Sequence, residues 1–183
     1  MKANRLSRLW SRWRLDERGV AAVEFALILP ILLALYLGGY EISQAAATYR
    51  KVADTTVELA NVTTQFTQVT PGNIDTVMAA SAQIMSPYST TNLTIVLSEI
   101  TTDAGNNATV TWSRAYNGAT ALTPGANVTM PAGLATANSN YIQVQTHYLY
   151  VPVIGSTYVG SMPMSDQIYM IPRASPSIPC AAC

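Results

Sequence analysis

The sequence predicts an α+β fold in which a long N-terminal helix, transmembrane and then amphipathic, packs on a small antiparallel β-sheet domain. Three observations predict it. Residues 20–40 form an apolar run broken by one carboxylate, Glu24. The pattern that follows recurs at steps of three and four to about residue 69. Beyond residue 90, alternating apolar segments are separated by turn-forming clusters.

The apolar run holds 21 residues, which as a helix is about 32 Å, enough to cross the hydrocarbon core. It is longer than a secretory signal core, and no small-residue cleavage site of the ordinary kind follows it. Charge is distributed to match. The 183-residue chain is neutral, yet six of its ten basic residues, Lys2, Arg5, Arg8, Arg12, Arg14 and Arg18, lie in residues 1–19. Only Arg50, Lys51, Arg114 and Arg173 remain after them, against eight acids. Basic residues beside a span stay cytoplasmic, so residues from about 41 onward are expected outside. The mildly acidic body, without a basic face, argues against nucleic-acid binding.

Past Gly38 and Gly39, one helical stripe is expected from Ile42, Ala45, Tyr49, Val52, Thr56, Leu59, Thr63 and Phe66. Glu41, Gln44, Arg50, Lys51, Asp54 and Glu58 occupy the opposite face. One helix over residues 20–69 would be about 75 Å long, ended by Thr70-Pro71-Gly72. Pro30 removes a backbone hydrogen bond inside the span and is expected to kink it.

A short helix is expected over residues 73–85, capped by Asn73 and stopped by Ser86-Pro87. A hairpin follows. Leu93, Ile95 and Leu97 alternate, residues 103–107 turn, and residues 108–116 return with Val110 and Trp112 on one face. Residues 117–139, rich in Gly, Ala, Thr, Asn and Pro, are expected as a long loop. The strongest strand spans residues 141–151, with Ile142, Val144, Tyr148 and Tyr150 on one face, and a last strand spans 165–172. Residues 174–183 read as a Pro-rich tail.

The expected organisation is a basic leader at 1–19, a span at 20–40, an extracytoplasmic domain at 41–173 and the tail at 174–183. The tail carries both cysteines, Cys180 and Cys183. In an exported, oxidising setting they can pair with each other or with another chain, and an intrachain bridge would close only a small loop. A prenylation signal would lie on the wrong side of the membrane, and a zinc site needs more ligands than two cysteines and His147. No nucleotide loop, metalloprotease helix, nucleophile elbow or paired CxxC occurs. No catalytic residue, metal or cofactor is expected.

Glu24 carries the functional reading. An ionisable residue inside an apolar span is costly and by default functional. If a peptidase cuts after Gly19, Val20 becomes a positive N-terminus and Glu24 its i,i+4 neighbour. In a stacked fibre, Glu24 of one subunit can then meet the amine of the next. A half-paired site would be strongly disfavoured, so the carboxylate would fix register.

The stretch RGVAAVEFALILPILL at residues 18–33 resembles the opening of TadE-like proteins, the minor pilins or pseudopilins of bacterial tight-adherence (Tad/Flp) pilus systems. TVTWSR at 109–114, Leu134-Ala135, residues 141–152 and YMIPR at 169–173 resemble later parts of that family. The resemblance implies a non-catalytic subunit of pilus assembly. A prepilin peptidase would cut between Gly19 and Val20, and Glu24 would take the family's glutamate position. Phe25 stands where major Flp pilins usually carry tyrosine. Other pilus subunits and an inner-membrane assembly platform are the implied partners, with membrane lipid. The implied location is the bacterial inner membrane, N-terminus in the cytoplasm and C-terminal domain in the periplasm, with incorporation in a surface pilus left open. A sheet domain would fit poorly at every step of a thin fibre, which favours a minor subunit. The alternative is a permanently anchored single-pass periplasmic scaffold or binding protein.

Overall fold

The computed structural model describes residues 18–183, so the basic residues read as a leader, Arg18 apart, lie outside the described residues. The chain divides between Ser43 and Gln44 into two units. The first contributes the opening of helix α1 (Arg18–Thr63), in which every residue from 19 to 40 is exposed. This stretch is apolar on all sides, the pattern of a helix whose surroundings are lipid. Among the described residues, α1 is the one helix long and apolar enough to cross a membrane.

The second unit, Gln44–Cys183, is an α+β fold. The remainder of α1 and a second helix, α2 (Pro71–Ala82), share a core with a five-stranded sheet. The strands are β1 (Leu93–Thr102), β2 (Ala108–Tyr116), β3 (Asn127–Val128), β4 (Asn140–Tyr150) and β5 (Met162–Met170). Their order is β3-β2-β1-β4-β5 and every pairing is antiparallel. Val52 and Leu59 of α1 and Ile74 and Met78 of α2 join Ile95, Leu97, Ile142 and Val144 of the sheet in one core. A smaller cluster, Ile100, Ala108, Val110 and Tyr141, packs with Leu122, Val128 and Met130 from the β2–β4 connection.

The buried face of α1 differs from the expected stripe. Tyr49 is exposed, whereas Thr48, Thr55, Thr56 and Thr63 are buried with Val52 and Leu59. The threonines bury because each satisfies its own hydroxyl. Thr48, Thr55, Thr56 and Thr63 donate to the carbonyls of Gln44, Lys51, Val52 and Leu59, four residues back, at 2.7–2.9 Å.

The helix ends at Thr63, short of residue 69. Its last turn tightens through Gln65 N to Val62 O and Phe66 N to Thr63 O, both 3.2 Å. The Thr64 carbonyl is then taken by the backbone N–H of Arg173 at 2.8 Å. Thr70-Pro71-Gly72 therefore does not end α1; it starts α2. Thr70, rather than Asn73, is the N-cap. Asn73 stands three residues on, and the two side chains close a capping box with Pro71 in the first turn. A 3₁₀ turn, Gln83–Met85, extends α2 to the expected end.

The hairpin forms where expected, but Val110 and Trp112 do not share a face. Glu99 pairs with Trp112 and Ile100 with Val110, so Thr111 is an extra residue in β2. Such a bulge reverses the alternation on one side of it. Trp112 joins the main core and Val110 the smaller one. Asp103 holds the turn, its carboxylate accepting from Gly105 N at 2.7 Å, Asn107 N at 2.9 Å and Asn107 Nδ2 at 2.8 Å.

The expected alternation in β4 holds, with Ile142, Val144, Tyr148 and Tyr150 all in the main core. β5 starts at Met162, three residues early, because Met162, Met164, Ile168 and Met170 all pack on that core. The long loop after β2 contains β3, and the β4–β5 connection contains a one-turn helix, α3 (Ser156–Val159).

Candidate functional site

Gly19 and Val20 both lie in the helical backbone of α1. Val20 is 55% exposed, and a Cβ on Gly19 would meet nothing within 4 Å. Glu24 and Phe25 are exposed one turn further on, and Pro30 lies inside the same helix. Pro30 has no N–H to give to the carbonyl of Ala26. An ion pair joins Arg114 Nη2 to Asp75 at 2.7 Å and ties β2 to α2. Glu24 is not part of it. A carboxylate so exposed on an apolar helix, one turn after a glycine, has the geometry to receive a cation from outside the chain.

The other sequence-derived pair lies at the C-terminus. Cys180 and Cys183 are joined by a disulfide with Cα atoms 5.5 Å apart. The segment around them is not a free tail. Ile178 is fully buried, Val69 pairs with Cys180 in a parallel bridge, and Val69 N donates to Pro179 O at 3.0 Å. Asn140 Nδ2 donates to Pro176 O at 2.9 Å.

Glu99 anchors this segment, and sequence reasoning missed it. It is 1% exposed. Its Oε1 accepts the Ile178 N–H at 2.7 Å, and its Oε2 accepts the Trp112 Nε1–H at 2.9 Å. The indole N–H is shared with the Ile178 carbonyl at 2.8 Å. Burial pushes the Glu99 carboxyl above its ordinary value, while the hydrogen bonds from Ile178 and Trp112 pull the other way. The signal was present in the sequence. Glu99 continues the series Leu93, Ile95, Leu97, whose alternation places it on the core face.

Two recesses bear on catalysis. A groove of about 540 Å³ is lined by Leu134, Tyr141, Tyr169 and Arg173 among others, without a carboxylate, histidine or cysteine. A smaller recess holds His147, Ser165 and Asp166. His147 and Ser165 are cross-strand partners, but Asp166 pairs with Thr146. Strand alternation directs the Asp166 side chain to the opposite face, so the three do not form a triad. Among the described residues no group of three His, Cys, Asp or Glu side chains could hold a metal ion.

Among the described residues the arrangement defines a class: a protein with one membrane-length helix followed in sequence by an α+β domain. Within that class, residues 19–61 match the family model described as TadE-like protein, so the likeness read from residues 18–33 is shown for the N-terminal helix. The later stretches, 109–114, 134–135, 141–152 and 169–173, lie outside the matched residues. No curated protein matches the chain, and no solved structure matches it. The family points to a Tad pilus-related, membrane-associated protein that works with other pilus components.

Proposed function

We propose that the chain is a non-catalytic minor pilin or pseudopilin that takes part in assembling a Tad/Flp-type adhesive pilus. In this reading the leader stays in the cytoplasm, α1 crosses the inner membrane, and a prepilin peptidase cuts between Gly19 and Val20. The observation that carries it is the exposed Glu24 one turn beyond Gly19 on an apolar helix, inside the segment matched to TadE-like proteins. The new Val20 amine and Glu24 supply opposite charges on successive subunits. Neither is tolerable alone in an apolar setting. The sheet domain adds bulk to every subunit that carries it, which suits a minor component or an assembly factor.

The second reading is a permanent single-pass anchor with a periplasmic scaffold or binding domain. One observation favours it: the Gly19–Val20 bond lies in helical backbone, so a protease must first unwind it. The deciding experiment is the intact mass of the protein recovered from membranes and from sheared surface material. A chain starting at Val20 supports the pilin reading. A chain starting at Met1 in both fractions refutes processing and leaves the anchor.

A further inference from the structure

The second unit has two distinguishable ends. At one, Tyr88 Oη donates to Gln44 Oε1 at 3.0 Å, Asn92 Nδ2 donates to Leu149 O at 3.1 Å, and Leu93 pairs with Tyr148. At the other, the Arg173 N–H meets the Thr64 carbonyl at 2.8 Å. Residues 151–161, between β4 and β5, therefore leave the sheet at the end where the chain reaches this unit through Gln44.

This connection is apolar and open. Most of the exposed large apolar side chains described in the second unit fall in residues 149–159: Leu149, Val151, Val153, Ile154 and Val159. Val153 is 80% and Val159 66% exposed. Residues 148–165 contain no Asp, Glu, Lys or Arg. A solvated connection normally carries polar side chains, and a concentrated apolar patch marks a surface that meets something apolar.

Chain connectivity says what that is. Gln44 follows Tyr40, the last residue of the apolar run, by four residues. Four residues reach at most about 14 Å when fully extended, whatever the angle between the units. The headgroup layer on each side of a bilayer is about 5–8 Å deep. We infer that the β4–β5 connection is a second, shallow membrane contact, with Val151, Val153 and Val159 seated at the boundary between headgroups and acyl chains. The inference rests on α1 being a membrane anchor. Because the connection carries no charge, it recognises the apolar boundary itself rather than anionic headgroups, and it needs no particular lipid. It would hold the sheet domain against the bilayer until the subunit is extracted.

The test uses the full chain in phosphatidylcholine nanodiscs at one copy per disc. An environment-sensitive fluorophore is placed on single cysteines introduced by Val153→Cys, Ala104→Cys and Leu33→Cys. The native cysteines are held in their disulfide. Ala104 lies in the β1–β2 turn at the far end of the sheet. Lipids carrying a nitroxide high on the acyl chain serve as quenchers. The inference expects the Val153 probe to be blue-shifted and quenched several-fold more than the Ala104 probe, equally with and without phosphatidylglycerol. Quenching at Leu33 with none at Val153 overturns the contact while leaving the anchor intact. No quenching at Leu33 overturns the anchor and the contact together. A blue shift at Val153 without quenching means protein covers the patch, and quenching that requires phosphatidylglycerol means charge drives it; either overturns the inference.

Discussion

The Glu99 carboxylate accepts the backbone N–H of Ile178 at 2.7 Å across 79 positions of sequence. A carboxylate in the middle of β1 thus fixes the segment that carries the disulfide. Replacing it leaves a buried donor without a partner. Glu99→Ala is expected to lower stability by about 2–4 kcal/mol, combining the unsatisfied Ile178 N–H with a small cavity. The urea midpoint of the detergent-solubilised protein reads this directly. An unchanged midpoint would mean that the Ile178 segment contributes nothing to the fold.

The same residue gives stability a pH dependence of known sign. Burial raises the Glu99 carboxyl, so the folded chain keeps its proton to higher pH than the unfolded chain. Between the ordinary glutamate value of about 4.3 and the raised one, the native state binds more protons. The Glu99 contribution is therefore greatest on the acid side and falls as pH rises through that window. Glu99→Gln removes the titration. Its amide oxygen can still accept from Ile178, and Trp112 keeps the Ile178 carbonyl. The wild-type midpoint minus the variant midpoint should decline from about pH 4 towards neutrality. A flat difference would assign the pH dependence to other groups.

The disulfide is expected to matter less than Glu99. It joins residues only three apart in sequence, so it removes little freedom from the unfolded chain, at most about 2 kcal/mol by loop-closure entropy. The segment retains Ile178 burial and the Val69–Cys180 bridge. Cys180→Ser combined with Cys183→Ser should unfold at a lower urea concentration than wild type, but above Glu99→Ala. The reverse order would make the disulfide, rather than the carboxylate, the principal anchor.

Thr70 tests the start of α2. Its side chain accepts the Asn73 N–H at 3.3 Å, and Asn73 Oδ1 accepts the Thr70 N–H at 3.1 Å. Thr70→Ala should cost about 1 kcal/mol, the usual loss for a helix cap. If Asn73 were the cap instead, Asn73→Ala would be the more damaging of the two, which a side-by-side denaturation curve resolves.

These residues also show what could be read in advance. The α+β class, the hairpin, β4 and the apolar run were legible because each rests on a local period. The end of α1 was not, because it depends on Thr64 meeting Arg173, a partner 109 positions away. The face of Val110 was hidden by a bulge at Thr111 that no local pattern announces. The C-terminal segment reads as a tail by proline content, and only the Glu99–Trp112–Ile178 contacts make it part of the core. For the candidate site, the spacing of Gly19 and Glu24 was legible in full. The proposed partner of Glu24 belongs to a neighbouring subunit, so neither composition nor fold supplies it.

Glu24 is where the proposed function stands or falls. The helix around it is exposed and apolar on every side, so Glu24→Ala should leave insertion and the second unit intact and make the span more apolar. Full-length and processed masses in the membrane fraction should match wild type. If Glu24 sets register by pairing with the Val20 amine of a neighbouring subunit, the variant should be reduced by roughly tenfold or more in sheared surface material, the loss expected when one partner of a buried charge pair is removed. Glu24→Asp, one methylene shorter, should restore part of that signal, because the charge survives while its reach shortens. Gly19→Trp acts earlier: if a peptidase cuts after Gly19, a large side chain at that position should leave the precursor uncut and deplete the same fraction. Normal surface recovery with Glu24→Ala would refute the pairing. Normal recovery with an uncut Gly19→Trp chain would show that the subunit works without processing.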